Sequence, residues 1–111
     1  MASIASFEGL VNGKSALQVS SLDNDAETLF VGAVTVGTGP TLIRAGNANR
    51  VSLMIHNNGS NNIFIGNSDV TTAMGFVIPA GGAIAGIIVR TAIYGVAVAG
   101  TSDVRYLEEA L

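Results

Sequence analysis

The sequence predicts an all-β fold: a single β-sandwich or jelly-roll-like domain of about eight to ten short antiparallel strands. Segments rich in Val, Ile and Thr recur about every ten residues, separated by Gly, Asn and Asp clusters. The clearest alternation of apolar and polar residues runs from Val51 to His56, and its period is that of a half-buried strand. No segment longer than about ten residues carries a helical period.

Charged residues are scarce. Of 111 residues, 5 are Lys or Arg and 8 are Asp or Glu, so the net charge is −3 and the charged fraction is 12%. A typical globular protein carries about twice that fraction. The composition, 49% hydrophobic, excludes a disordered tail and lacks the basic footprint of nucleic-acid binding. Neutral polar residues or a partner must replace the missing charge, so we expect self-association or docking on a larger body.

The first 45 residues are predicted to be an N-terminal arm or accessory hairpin region packed on a sandwich core that spans 46–111. Asn12-Gly13 favours a tight turn within a hairpin over 10–20. The acidic stretch 22–26 is typical of a loop, and a short strand is expected at 41–44.

Glu27 to Val36 is predicted to be a longer strand that is apolar on both faces. One face carries Leu29, Val31 and Ala33, and the other carries Phe30, Val34 and Val36. We expect such a strand to be buried on both sides, between sheets or between subunits.

The core is predicted to begin with the strand of clearest alternation, in which Val51, Leu53 and Ile55 face inward and Ser52, Met54 and His56 face outward. The chain turns at 57–60 and returns as a strand over 61–66, with Ile63 and Ile65 toward the core. Further strands are predicted at 76–78, 83–90, 93–99 and 104–107. The last four residues, 108–111, are predicted to be a tail.

The longest uncharged run, 70–89, has about the length of a membrane span. Pro79 and four glycines interrupt it, so we predict a loop followed by a strand and no membrane segment. The start of the chain lacks the basic and apolar regions of a secretory signal, and we expect none.

Two patterns near the N-terminus suggest ligand chemistry and are better explained as turns. Gly13-Lys14-Ser15 matches the end of a phosphate-binding loop, but that motif needs a glycine where the chain has Glu8. Asp23, Asp25 and Glu27 alternate as calcium ligands can, yet the glycine and bidentate glutamate of an EF-hand loop are missing.

The residues that catalysis or metal binding would need are few. The chain has no Cys, which excludes disulfides, thiolate ligands and cysteine nucleophiles, and His56 is its only His. Several copies of His56 could meet at one metal only in a symmetric assembly, and an outward polar strand residue is the simpler interpretation. No Ser lies in a Gly-x-Ser-x-Gly context. We predict no catalytic, cofactor-binding or metal-binding residues, and no enzyme.

Two surface patterns have ordinary explanations. Asn58-Gly59-Ser60 fits the N-glycosylation pattern, but we interpret it as a turn. Four arginines lie at predicted strand ends or edges: Arg44, Arg50, Arg90 and Arg105. They could pair with acidic groups of a partner, although most surface arginines simply solvate a rim.

A series of turn and strand motifs runs through residues 46–108. They are RVSLMIHNNGS (50–60), IFIG (63–66), VTT (70–72), Gly75, PAGG (79–82), IY (93–94), GT (100–101) and VRYL (104–107). Together they resemble small β-sandwich structural proteins of tailed bacteriophages, and most closely the capsid decoration, or cement, proteins.

This resemblance implies a non-enzymatic virion protein of the phage head surface, made in the host cytoplasm, that binds the major capsid protein and stabilises the shell. It implies a homo-oligomer, usually a trimer, with no cofactor, nucleic acid or membrane. A tail or head-fibre component and a carbohydrate-binding jelly-roll module stay open as alternatives. The aromatic candidates for a carbohydrate site are Phe64, Tyr94 and Tyr106.

Two aliphatic segments are the predicted contacts between subunits: Glu27 to Val36 and Ala83 to Val89. A standard interface buries about 800 Å² per partner, so two such strands could supply a substantial part of one.

Overall fold

Eight β-strands and no helix form residues 26–111, the part of the chain that the computed structural model describes. The strands are β1 Thr28–Val36, β2 Thr41–Arg44, β3 Arg50–Asn57, β4 Ile63–Gly66, β5 Phe76–Ile78, β6 Ala83–Ile87, β7 Ile93–Ala97 and β8 Ser102–Ala110. The predicted all-β class is confirmed. Within this range no helix is long and apolar enough to cross a membrane.

The strands form two four-stranded antiparallel sheets. Sheet I has the order β1-β8-β3-β6, and sheet II has the order β2-β7-β4-β5. The first strand pairs with the last, the second with the seventh, the third with the sixth and the fourth with the fifth. This is the pattern of a long hairpin rolled into two facing sheets, which is a jelly roll.

The core lies between the sheets and follows the predicted alternation. Leu53 and Ile55 of β3 face Ile63 and Ile65 of β4 across the sandwich, and all four are buried. Met54 points outward and is 41% exposed. The chain does not return as a hairpin after β3, because β3 and β4 lie in opposite sheets.

Strand limits differ from the predictions mainly at the C-terminus. β6 and β7 end two or three residues earlier than expected. The predicted tail is wrong: β8 continues through Ala110, because Glu108 is buried and paired inside the sandwich. The predicted hairpin over 10–20 and nearly all of the predicted loop lie outside the described residues.

Residues 28–44 belong to the sandwich. β1 supplies an edge strand of sheet I and β2 supplies an edge strand of sheet II. The sandwich therefore starts before residue 46, and an arm formed by residues further upstream stays a prediction.

Two β-bulges turn arginine side chains into the sandwich. Between Leu42 and Arg44, β2 advances by two residues while β7 advances by one. Between Ser52 and Arg50, β3 does the same against β8. A bulge shifts the side-chain alternation by one residue. Arg44 and Arg50 would point outward by strict alternation, and the bulges direct them inward.

The two arginines converge on Glu108 of β8, whose side chain is fully buried. Nε of Arg50 donates to Oε2, and Arg44 donates to Oε1 from Nη2 (2.6 Å) and Nε (2.9 Å). Nδ2 of Asn47 also donates to Oε1, at 3.3 Å. Burial raises the pKa of Glu108, but the hydrogen bonds from Arg44, Arg50 and Asn47 outweigh it and hold that pKa below its ordinary value. We name these four residues the Glu108 hub.

Arg50 uses its other N–H groups on two loops that cross between the sheets. Its Nη1 donates to the carbonyl oxygens of Val89 (2.7 Å) and Thr91 (2.9 Å), and its Nη2 donates to that of Ala45 (2.8 Å). One loop joins β2 to β3 and the other joins β6 to β7. A single buried side chain therefore satisfies carbonyl groups of both crossovers.

A second polar cluster closes the opposite end of β3. Asn57 is fully buried, and its Nδ2 donates to the carbonyl oxygens of Asn61 (2.8 Å) and Ile78 (3.0 Å). Its Oδ1 accepts from Oγ of Ser102 (2.6 Å) and from the backbone N–H of Gly59 (3.1 Å). Since Ile78 ends β5 and Ser102 begins β8, Asn57 connects the two sheets at this end.

Replacing Glu108 with Gln should lower the free energy of unfolding by about 3 kcal/mol at pH 7, because Arg50 stays buried without its counter-charge. The deficit should shrink in acid. A carboxyl with a lowered folded-state pKa stabilises fully above its unfolded pKa of about 4.3, and that stabilisation is lost as the pH falls through the folded value. Denaturant titrations between neutral and acidic pH measure both effects.

Asp103→Asn is the matched control, since Asp103 forms an exposed pair with Arg105 at 2.8 Å. The loss in this variant should be much smaller, because solvent screens exposed pairs. A Glu108→Gln protein as stable as the parent at pH 7 would show that the Glu108 hub does not hold the sheets together.

Candidate interaction surface

The outward side chains of β1, β8 and β3 form an apolar surface, which we name the outer face. The strand register places Val31, Leu107 and Met54 in one row across the three strands. They are 67%, 37% and 41% exposed, and Leu29 extends the surface at 62%. Contiguous exposed apolar side chains of this size mark interaction sites. The outer face consists of Leu29, Val31, Ala33, Ser52, Met54, His56, Arg105, Leu107 and Glu109.

β1 explains why this surface is open. The predicted division of its faces is confirmed in part: Leu29, Val31 and Ala33 are exposed and Val36 is fully buried, but Phe30 of the opposite face is 39% exposed. The expectation that both faces are buried between sheets is wrong, because β1 is an edge strand of an outermost layer. Burial of the outward face between subunits stays a prediction.

Tyr106 reaches inward beneath β1 and supports it. A Cβ on Gly32, its cross-strand neighbour, would lie 2.5 Å from the Tyr106 hydroxyl, so a larger residue here would displace the Tyr106 ring. The Arg44 guanidinium lies 5.0 Å from the Tyr106 ring centroid and 4.8 Å from that of Phe30. These cation–π contacts connect the edge strand to the Glu108 hub.

The charged groups of the outer face lie on β8. Arg105 donates to Asp103 from Nε (3.0 Å) and Nη2 (2.8 Å). The hydrogen bond from Arg105 lowers the pKa of Asp103, and one from Asn58 adds to the effect. Arg105 and Glu109 are the outward residues on either side of Leu107, so a guanidinium and a carboxylate flank an apolar centre, and Asp103 lies beyond Arg105 on the same strand.

A second exposed apolar site, which we name the apolar tip, consists of Ile88 (74% exposed) and Val89 (49%). Arg50 holds the Val89 carbonyl, and Nε of Arg90 donates back to the Arg50 carbonyl at 3.1 Å. The backbone N–H of Asn47 also donates to the Arg90 carbonyl at 2.9 Å. The tip is therefore an apolar loop held by backbone and buried side-chain bonds.

Sheet II and its loop also expose apolar side chains, of which Met74 (85%) and Phe76 (61%) are the most exposed. The loop 67–75 packs on its outer side, where Val70 is buried and a Cβ on Gly75 would lie 2.6 Å from Cβ of Phe64. Leu42 and Val77 remain partly exposed at the margins of the sheet.

The sequence-predicted site residues have mixed outcomes. His56 points outward, as predicted, next to Arg105 in the register. Over residues 26–111, no group of three or more His, Cys, Asp or Glu could hold a metal ion. Asn58-Gly59-Ser60 lies in the connection between β3 and β4. The patterns at Gly13-Lys14-Ser15 and at Asp23 and Asp25 lie outside the described residues.

The arginines differ most from expectation. The interpretation as a solvated rim is wrong for Arg50, which is 1% exposed, and for Arg44, which the same carboxylate binds. Arg105 is exposed and pairs within its own chain. Glu108 was not predicted, although continuing the inward series of Val104 and Tyr106 by two residues indicates it.

Comparison with known proteins finds no match: no family model, no curated protein and no solved structure is similar to this chain. We therefore infer function from the chain's own residues.

The same substitution at two leucines on neighbouring strands tests whether the outer face serves the fold. Leu107→Ala should change the free energy of unfolding by less than about 1 kcal/mol, because a surface substitution leaves no cavity. Leu53→Ala, in the core, should lower it by about 2–5 kcal/mol. Chemical denaturation at one pH measures both. Equal losses would mean that the outer face is packed as part of the core.

Proposed function

We propose that this chain is a non-enzymatic structural protein of a tailed-bacteriophage virion that acts as a capsid decoration, or cement, protein. It binds the outer surface of the assembled major capsid protein lattice as a homo-oligomer and stabilises the head. The apolar tip carries the proposal: Ile88 and Val89 are exposed, and their loop is held in place by buried Arg50.

The way the tip is held favours docking on a protein surface. Burying an arginine costs desolvation energy, and apolar residues packed in place of a buried ion pair are often at least as stabilising. Arg50 instead fixes the position of loop carbonyls beside exposed aliphatic side chains. A loop that is already ordered loses little entropy when it binds. The arrangement suits repeated, accurate contact with a lattice.

The interior favours a protein partner over a small ligand. The inner faces of the two sheets meet directly, and Leu53, Ile55, Ile63 and Val104 are fully buried between them. Of the aromatic candidates for a carbohydrate site, Tyr106 is turned inward over Gly32, and the Gly75 loop lies against Phe64. These two rings do not form an open stacking platform.

The residues that carry the resemblance to decoration proteins serve mainly to hold the fold together, and they contribute less to the exposed binding surfaces. The stretch 50–60 contains Arg50, Asn57 and Gly59, which build the polar clusters at both ends of β3. Support for a shell-binding role comes from the low charge of the chain together with the outer face and the apolar tip.

Purified protein should co-sediment with shells of the major capsid protein from its phage, at copy numbers on the order of hundreds, as a multivalent lattice allows. Ile88→Glu should weaken this binding, because a charge at the tip would have to be desolvated. Densitometry against the major capsid protein counts the copies.

Val98→Glu is the matched control, because Val98 is also exposed and apolar but lies at the Asn57 end of the sandwich. It should bind like the parent protein. Tens of copies or fewer would indicate a tail or fibre component, and binding that is insensitive to Ile88→Glu would remove the role of the tip.

A further inference from the structure

We infer that the outer face docks on the outer face of a second copy of this chain, with the two copies related by a twofold axis. The inference deepens the proposed function, on which it rests only for the expectation that copies associate. Its test uses purified protein without shells, so it can fail while shell binding stands.

The charge pattern on β8 is the first reason. Glu109, Leu107 and Arg105 are successive outward residues of the strand at the centre of the outer face, spaced about 7 Å apart. Suppose that the twofold axis lies in the plane between the two faces, perpendicular to the strands, and passes over Leu107. It then places Arg105 of each copy opposite Glu109 of the other. The two ion pairs then flank a central contact between the two Leu107 side chains, so the surface is complementary to itself.

The neighbouring strands agree with the same axis. Val31 and Met54 share the row of Leu107, so each lies opposite the same residue of the second copy. One row away, Leu29 of one copy lies opposite Ala33 of the other, so a large side chain meets a small one. On this face β1 and β3 have no Asp, Glu, Lys or Arg, so no like charges meet there.

Arg105 can make the new pair without giving up its present one. Its Nε and Nη2 donate to Asp103, and no described residue accepts from its Nη1. Asp103 also accepts from Asn58, at 3.0 Å, and it remains paired when Arg105 bridges to the second copy. A guanidinium has five N–H donors in a planar fork, which suits such bridging.

The area available predicts weak, concentration-dependent association. Three strands spaced about 4.8 Å apart, with about 30 Å for the longest of them, give a face of roughly 430 Å². Two such faces bury about 860 Å² in total, which is in the range of small, weak interfaces. The trimer that the resemblance implies needs two different contact surfaces on each chain, whereas this face needs only itself.

Sedimentation equilibrium or light scattering over a concentration series tests the inference. The mass should approach twice the chain mass of 11.2 kDa as the concentration rises. Arg105→Glu and Glu109→Arg should each raise the dissociation constant at least about tenfold, because like charges then oppose each other twice. The double variant R105E/E109R restores opposite charges and should return to within about threefold of the parent.

Asp69→Arg is the control, since it makes the same charge change as Glu109→Arg on the loop over sheet II, away from the outer face. It should associate like the parent. Denaturation curves confirm that each variant is folded. A stable monomer, a trimer, or a double variant that stays as weak as the single ones would overturn the inference. If the copies instead pair through the exposed edges of their β1 strands, the protein will dimerise but no charge variant will change the dissociation constant.

Discussion

Glu108 is the residue on which both sheets depend. It is fully buried on a central strand of sheet I, and two arginines reach it only because β-bulges invert the direction of their side chains. Arg44 comes from sheet II and Arg50 begins the next strand of sheet I, so one carboxylate joins the two layers. Arg50 then extends the network to carbonyl groups of both crossover loops at that end.

The sandwich therefore has an apolar middle and a polar closure at each end. β3 begins at Arg50 and ends at Asn57, and antiparallel β8 brings Glu108 to the first and Ser102 to the second. Crossover loops cannot complete a sheet ladder, so their carbonyl groups need other partners. The two clusters supply partners at their own ends, and Arg50 of the Glu108 hub fixes the loop that carries the apolar tip. The outer face depends on the same two clusters, because β8, the strand at its centre, is held by one cluster at each end.

Local pattern was enough to predict the class and most of the strands. The alternation placed Ser52 to His56 of β3 on the correct faces, although Val51 lies at a bulge outside the core, and Pro79 with its glycines divided the uncharged run into short strands. Pairing order was beyond local pattern, since β3 and β4 are consecutive but lie in opposite sheets. The polar network was missed for a physical reason. Charged residues are exposed by default, and Arg50 meets its partner 58 positions along the chain through a bulge that alternation does not encode.

Backbone hydrogen exchange in Glu108→Gln, compared with the parent protein, tests the central role of Glu108 most directly. If the carboxylate joins the two layers, amides of β2 and β7 in sheet II should lose protection together with those of β3 and β8 in sheet I, by a common factor. Loss of protection confined to the loops at 45–49 and 88–92, with both sheets unchanged, would contradict that role and reduce the Glu108 hub to a local loop anchor.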